Sequence, residues 1–263
     1  MNAFFSLLLL LTLSGCASQQ THWGSNAYHN LSPQRLLHSA NKSLHQTQTW
    51  LPALGSLVFN LSDLDQQTSD WASRQNPIFG SQSNARRYSD DLRSVLLAET
   101  IATALLTPSG NTPSQWLANK SRGISAQLLA GGLAGSSSEH LKDLFQRRRP
   151  DGSDKRSYPS GHATTAASYA TLTNANLAAF ALNPKQRQTI SDLNWGLAGG
   201  VAWARVEGQK HYPSDVLAGM ALGHFVSATL NDFLLGQQDS EHFELHFSAS
   251  EGNGQLHLRW RFR

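Results

Sequence analysis

The sequence predicts a mainly α, single-domain helical bundle followed by a C-terminal β-hairpin. Three observations carry that prediction. From residue 31 to residue 235 apolar positions recur at helical spacing, broken by turn sequences at Asn76-Pro77, Pro108-Ser109-Gly110-Asn111, Arg149-Pro150 and Asn183-Pro184. Small residues cluster inside those segments, as in Ala130-Gly131-Gly132 and Gly196-Leu197-Ala198-Gly199-Gly200, which suits closely packed helices. Beyond residue 236 the pattern changes to a period of two.

Composition sets the outer bounds. The chain has 263 residues, of which 40% are hydrophobic. That is a globular composition and excludes a disordered chain. Only 15% of residues are charged, against about 25% in an average protein, so Ser, Thr, Asn and Gln must supply much of the polar surface. A net charge of +3 from 21 basic and 18 acidic residues gives no support to nucleic-acid binding. The single Cys16 excludes an internal disulfide, a Cys-based zinc site and an iron–sulfur cluster.

The elements follow in order. Residues 4–13 form an apolar run that is too short for a ~30 Å hydrocarbon core but suits a signal-peptide h-region. The run leads into Leu13-Ser14-Gly15-Cys16, which resembles the lipobox of bacterial lipoproteins. The resemblance implies removal of residues 1–15 as a signal peptide and lipidation of Cys16. It also implies a palmitate-bearing anchor that holds the chain at the cell envelope, facing the periplasm. An ordinary secretory signal with an unrelated Cys is the alternative, and the n-region lacks Lys and Arg. Ala17, where inner-membrane lipoproteins carry Asp, is similar to the signal for outer-membrane sorting. Residues 16–30 read as the lipidated Cys and a polar tether.

Residues 31–235 read as one helical domain, with strong helices at 90–107, 113–132, 136–149, 160–182, 184–206 and 213–235. None reads as transmembrane. The longest charge-free stretch within this domain, 157–184, carries ten Ser, Thr or Asn residues among its 28, too polar for lipid. Residues 236–263 read as a β-hairpin. Residues 242–247 and 255–262 alternate, and Ser250-Glu251-Gly252-Asn253-Gly254 lies between them as the turn. The apolar face of Phe243, Leu245, Phe247, Leu256, Leu258, Trp260 and Phe262 is expected to pack on the helices.

Three clusters carry chemistry. In the first, Lys142 and Arg149-Pro150 are seven residues apart, a spacing expected to put both cations on one helical face, with Pro150 ending the helix. By itself this also fits a basic helix C-terminus that complements the macrodipole. The second, Pro159-Ser160-Gly161-His162, opens a helix, where free amides can bind an anion and Gly161 permits close approach. His162 stands at its mouth as a candidate proton donor. The third runs from Arg205 to His211 and Asp215. Ser214 is expected to cap the next helix, and Asp215 to accept from Nδ1 of His211 and so leave Nε2 as a nucleophile. A capped helix with a surface His is the plainer explanation of this cluster alone. Pro108-Ser109-Gly110-Asn111 imitates the second cluster but ends in Asn and reads as a loop. The other nine histidines have no ligand-like spacing.

In this order the clusters resemble the type 2 phosphatidic acid phosphatase superfamily, which includes bacterial class A acid phosphatases, lipid phosphate phosphatases and vanadium haloperoxidases. The likeness covers roughly residues 90–235. It implies the helical bundle of that family and metal-independent hydrolysis of phosphomonoesters, with pyrophosphates also open, on lipids or other amphiphiles. No cofactor is implied. By the same resemblance His211 is the nucleophile that becomes a phosphohistidine, Asp215 orients it, and His162 is the general acid. Lys142, Arg149, Ser160, Gly161 and Arg205 would hold the phosphate oxygens. Fixed cations can replace a metal in that role.

Two departures stand out. Ala204 replaces the family's Ser, and only eight residues, 151–158, separate the first two motifs. The short linker leaves little chain for a lid and suggests a shallow pocket with Lys155 and Arg156 on its rim. Arg147, Arg148 and Lys210 are further candidates for attracting an anionic headgroup. The competing readings are a general periplasmic acid phosphatase, a vanadium haloperoxidase, and a weakly catalytic lipoprotein that binds the envelope.

Overall fold

A computed structural model describes residues 22–236 and the backbone of the strands His242–Ser250 and Asn253–Arg261. Among the described residues the turn sequences do separate helices. These are α1 (Pro33–His45), α2 (Thr47–Asn60), α3 (Leu64–Gln75), α4 (Gln82–Leu106), α5 (Pro113–Phe145), α6 (Gly161–Asn176), α7 (Pro184–Glu207) and α8 (Pro213–Leu235). Their starts are set locally. Ser32, Ser81, Thr112 and Asn183 each accept a backbone N–H from the first turn that follows, satisfying donors that the helix leaves unpaired. Pro at the first position of α1, α5, α7 and α8 is pre-set for the helix.

Helix α8 is the central strut, packed against α6, α2, α5 and α1. The interior around it is built from small residues: Ala126, Ala130, Ala134, Ala163, Ala166, Ala167 and Ala170 are all fully buried. Some buried hydroxyls are satisfied within their own helices, as in Thr171 to the Ala167 carbonyl (2.7 Å) and Thr100 to that of Leu96 (2.9 Å). The large apolar side chains of α2 point outward instead, with Trp50, Leu54 and Leu57 along one exposed stripe that continues to Leu61 just past the helix. Among the described residues no helix is long and apolar enough to cross a membrane.

Several expected boundaries are corrected. Residues 113–132 and 136–149 do not form two helices but one, the 33-residue α5. Its Gly131 and Gly135 face α6, where an added Cβ would meet only ordinary contacts at 3.7–3.8 Å, so packing overrides their weak helix propensity. The helix stops at Phe145 because Gln146 turns left-handed (φ 46°). Arg149 therefore lies beyond the helix, and Lys142 and Arg149 do not share a helical face. The expected 160–182 helix ends at Asn176 and continues as a 3₁₀ turn, Leu177–Ala179.

Residues 22–30, expected as tether, are folded. Trp23 and Ala27 are buried, the Trp23 amide bonds the Pro108 carbonyl (2.8 Å), and Tyr28 bonds Ser125 (2.8 Å). The 108–111 imitation motif is a loop that receives this segment. The backbones of β1 (His242–Ser250) and β2 (Asn253–Arg261) pair antiparallel, with His242 opposite Arg261 and Ser250 opposite Asn253. The packing expected of their side chains on the helices lies outside the described residues, as do the signal peptide and Cys16.

Close approach of α6 and α8 rests on two glycines. A Cβ at Gly219 would lie 2.5 Å from the Ser160 carbonyl oxygen, and one at Gly223 only 2.1 Å from that of Thr164. Gly223→Ala is therefore expected to lower stability by about 1–3 kcal/mol through overpacking. Gly132→Ala, where an added Cβ meets nothing within 4 Å, should instead raise it by about 0.5–1 kcal/mol. Chemical denaturation of both variants checks the contrast.

Candidate functional site

The site is assembled where α7 ends and α8 begins. Glu207, fully buried, accepts from the amides of Ile78 (3.0 Å) and Phe79 (3.1 Å) and from Trp203 Nε1 (2.6 Å), which fixes the end of α7. The chain then folds back through Gln209, left-handed at φ 54°. The amides of Lys210 and His211 both donate to the Arg205 carbonyl (3.0 and 3.2 Å). This return places His211 inside the protein, only 2% exposed.

Nδ1 of His211 lies 2.7 Å from the Ser157 carbonyl oxygen. A carbonyl can only accept, so Nδ1 carries the proton and Nε2 keeps its lone pair. Arg149 Nη1 reaches that Nε2 at 3.4 Å. The expected hydrogen bond from Nδ1 to Asp215 is thus corrected: the Asp215 carboxylate is 3.7 Å away, and the Ser157 carbonyl fixes the tautomer. Asp215 supplies charge. Burial pushes His211 down to about 4, helped by Arg205 and Arg149 and opposed by Asp215.

Asp215 sits in the first turn of α8, and its carboxylate accepts from the Tyr212 amide (2.8 Å). Ser214 does not cap the helix as expected. Its hydroxyl is bonded to Asp65 (2.6 Å) and to Arg147 (2.6 Å). Asp215 also accepts from Ser157 Oγ (2.5 Å) and Arg147 Nη1 (2.7 Å). Burial would raise its carboxyl, but the contacts with His211, Arg147 and Ser157 outweigh that and hold it below the ordinary carboxylate range.

The second cluster opens α6. Ser160 is the N-cap, and its hydroxyl accepts from the Ala163 amide (3.4 Å), while its own amide donates to the Asp215 carbonyl (2.9 Å). The amides of Gly161 and His162 are the first of the helix and have no intrahelical acceptor. Gly161 matters sterically: an added Cβ would stand 2.8 Å from Lys142 Nζ, so its absence lets the lysine reach the helix start. Lys142 is buried and paired with Glu139, which also binds Arg156 (2.9 Å).

Arg205 is also buried, its Nε has no hydrogen-bond partner among the described residues, and burial beside Arg149 lowers it to about 10. The same charge, added to burial, depresses His162 to about 4. Nε2 of His162 donates to Asp90 Oδ1 (2.8 Å). Ala204 is fully buried beside Arg205 in the chain.

The linker 151–158 is a closed loop, and the rim expected from its cations is largely spent on internal pairs. Arg149 Nε binds Asp154 (2.6 Å), the Ser157 amide returns to the Arg147 carbonyl (2.9 Å), and Lys210 holds Asp151 (2.5 Å). Arg156 pairs with Glu139 and Asp143, and Arg147 is turned inward. Lys155 stays exposed. The structure thus brings together His211, Asp215, His162, Lys142, Arg149, Ser160, Gly161 and Arg205.

Sequence reasoning missed Asp65, Asp90, Glu139 and the inward role of Arg147. Only Glu139, three residues before Lys142 on the same helix, had a local signal. Among the described residues no group of three His, Cys, Asp or Glu side chains is placed to hold a metal ion.

His162, His211 and His224 are all held near 4, against an ordinary 6.5. The unfolded chain therefore takes up protons below about pH 6.5 that the folded protein refuses until about pH 4. Thermal stability should be full above that window and fall as pH drops through it. His224→Gln, far along α8 from the site, should make the fall shallower. Melting curves at successive pH values check this, and an equally steep fall in the variant would count against it.

Residues 124–236 match the PAP2 superfamily. Over 99 residues the chain is 36% identical to a lipid A 1-phosphatase of Porphyromonas gingivalis, a match covering 37% of this chain and 20% of that protein. The chain thus matches about a fifth of the curated relative. The fold is similar to that of a transmembrane PAP2 type phosphatidylglycerolphosphate phosphatase from Bacillus subtilis, with a TM-score of 0.51 at 19% identity over 75% of this chain and 91% of the other.

Proposed function

We propose that the chain is a phosphatase that hydrolyses phosphomonoesters of lipids or other amphiphiles through a phosphohistidine on His211. One observation carries this reading. Buried Arg205 has a guanidinium nitrogen without a partner among the described residues, and Arg149 and two neutral imidazoles gather beside it. Such an arrangement is completed by a bound anion with transferable charge.

In the proposed reaction Nε2 of His211 attacks phosphorus. The bond to the ester oxygen breaks, and that oxygen takes a proton from protonated His162. Water then attacks phosphorus, His162 takes its proton, the nitrogen–phosphorus bond breaks and phosphate leaves. Arg149, Arg205 and Lys142, with the free amides at the start of α6, hold the non-bridging oxygens. Attack needs His211 neutral and His162 protonated. Bound phosphate offsets the cations that depress His162, so activity should peak on the acid side of neutral.

The amphiphile preference is supported by an apolar edge. Leu144 and Phe145, one turn beyond Lys142, are 74% and 54% exposed, and Phe145 stands edge-on to Tyr158 at 5.0 Å. Acyl chains would find contact there that a sugar phosphate does not need. The lipid-phosphate names of both similar proteins point the same way. The anchor at Cys16 and an outer-membrane, periplasm-facing location belong to the same proposal. Cys16→Ser should then move an active protein from the membrane to the soluble fraction, and retention after a high-salt wash would count against it.

The mature domain should hydrolyse short-chain phosphatidic acid with a higher kcat/KM than glycerol 3-phosphate, in the presence of EDTA and with inhibition by vanadate. His211→Ala should reduce both to background. His162→Ala should hurt alkyl phosphates more than nitrophenyl phosphate, whose leaving group scarcely needs a proton. Equal preference for glycerol 3-phosphate would favour a general acid phosphatase. Activity lost in EDTA and restored by Mg²⁺ would overturn the mechanism.

A further inference from the structure

We propose that Asp65 is a positioning residue for the His211–Asp215 pair, acting through Arg147 and Ser214. The proposal deepens the phosphatase reading and rests on it. Asp65 comes from the first turn of α3, outside residues 124–236 that match the family, and it is buried. Its two oxygens take three hydrogen bonds: the Ser214 amide at 2.8 Å, the Ser214 hydroxyl at 2.6 Å and Arg147 Nη2 at 2.6 Å. Ser214 is the residue before Asp215. Arg147 is the cation on Asp215, at 2.7 Å, and lies over the Tyr212 ring at 4.3 Å. Asp65 therefore grips both the backbone that carries Asp215 and the charge that faces it.

The second carboxylate has an electrostatic purpose. The charged groups acting on His211 are Asp215 from α8, Arg205 from α7 and Arg149 from the loop after α5. Asp215 is the anion among them. A guanidinium paired with Asp215 alone would cancel that anion. Shared with Asp65, it leaves the group of three with a net negative charge toward the imidazole. Asp65 thus lets Arg147 fix Asp215 in place without silencing it. A plain staple of α3 onto the bundle would contribute to stability but would not touch this balance.

The test is Asp65→Asn, which keeps the shape and one acceptor for Ser214 while removing the charge. The expected result is a fall in kcat of about 100-fold, the scale of a displaced catalytic group, with KM unchanged. The acid limb of the pH profile should move to lower pH. Asp65→Glu should restore part of the rate, and Arg147→Gln should move the acid limb the opposite way. Wild-type kcat and acid limb in Asp65→Asn, with only a lower melting temperature, would reduce Asp65 to a staple and overturn the proposal. Imidazole ¹⁵N titration of His211 in the resting protein needs no turnover. If the wild type hydrolysed no phosphate ester, the phosphatase reading would fail, and an unmoved His211 titration in Asp65→Asn would separately overturn the role of Asp65.

Discussion

The buried carboxylate of Asp215 is the constraint on which the site depends. A carboxylate with no exposure to water must be satisfied inside the protein, because the penalty for an unpaired buried charge exceeds most single stabilising contacts. Its satisfaction draws in Ser157 from the loop after α5, the Tyr212 amide from the α7–α8 turn, and Arg147. The Asp215 carbonyl in turn receives the Ser160 amide at the start of α6. One residue thereby joins the chain ends that carry Lys142, Arg149, His162 and His211. The small-residue crossing of α6 and α8 at Gly219 and Gly223 is the packing counterpart of the same junction.

The site is charge-balanced on one side and unbalanced on the other. Around Asp215, carboxylates and Arg147 compensate each other, and the surrounding loops are tied by pairs such as Lys210–Asp151 and Arg149–Asp154. Around Nε2 of His211 lie Arg149, which bonds it, and Arg205, whose Nε has no partner among the described residues. Burial keeps both imidazoles neutral at ordinary pH. An excess of fixed positive charge that costs no reorganisation when an anion arrives is the arrangement electrostatic catalysis calls for.

The N-terminal helices belong to this machinery although they lie outside the segment that matches the family. Helix α3 contributes Asp65, α4 contributes Asp90 to His162, and the turn at Ile78–Phe79 holds Glu207 at the end of α7. Small side chains inward and larger apolar ones outward let these helices approach α8 and α7 closely. The exposed stripe of α2 is the consequence of that inversion.

The sequence by itself determined the helical class, the starts of α5 to α8 to within a residue, and the eight residues that converge on the site, whereas α4 begins at Gln82 rather than at 90. Those signals are local: an N-cap, a Pro at the first position, a motif whose spacing is read along the chain. It misjudged the end of α5 because a left-handed Gln146 carries no strong sequence mark, and it divided α5 at glycines that packing tolerates. Only the tertiary structure decided which acceptor fixes His211, what Arg147 does, and that Asp65 and Asp90 take part. Asp65 meets Arg147 across 82 residues of chain and Asp90 meets His162 across 72. At such separations no periodicity links the partners, and the fold alone brings the charges within hydrogen-bond distance.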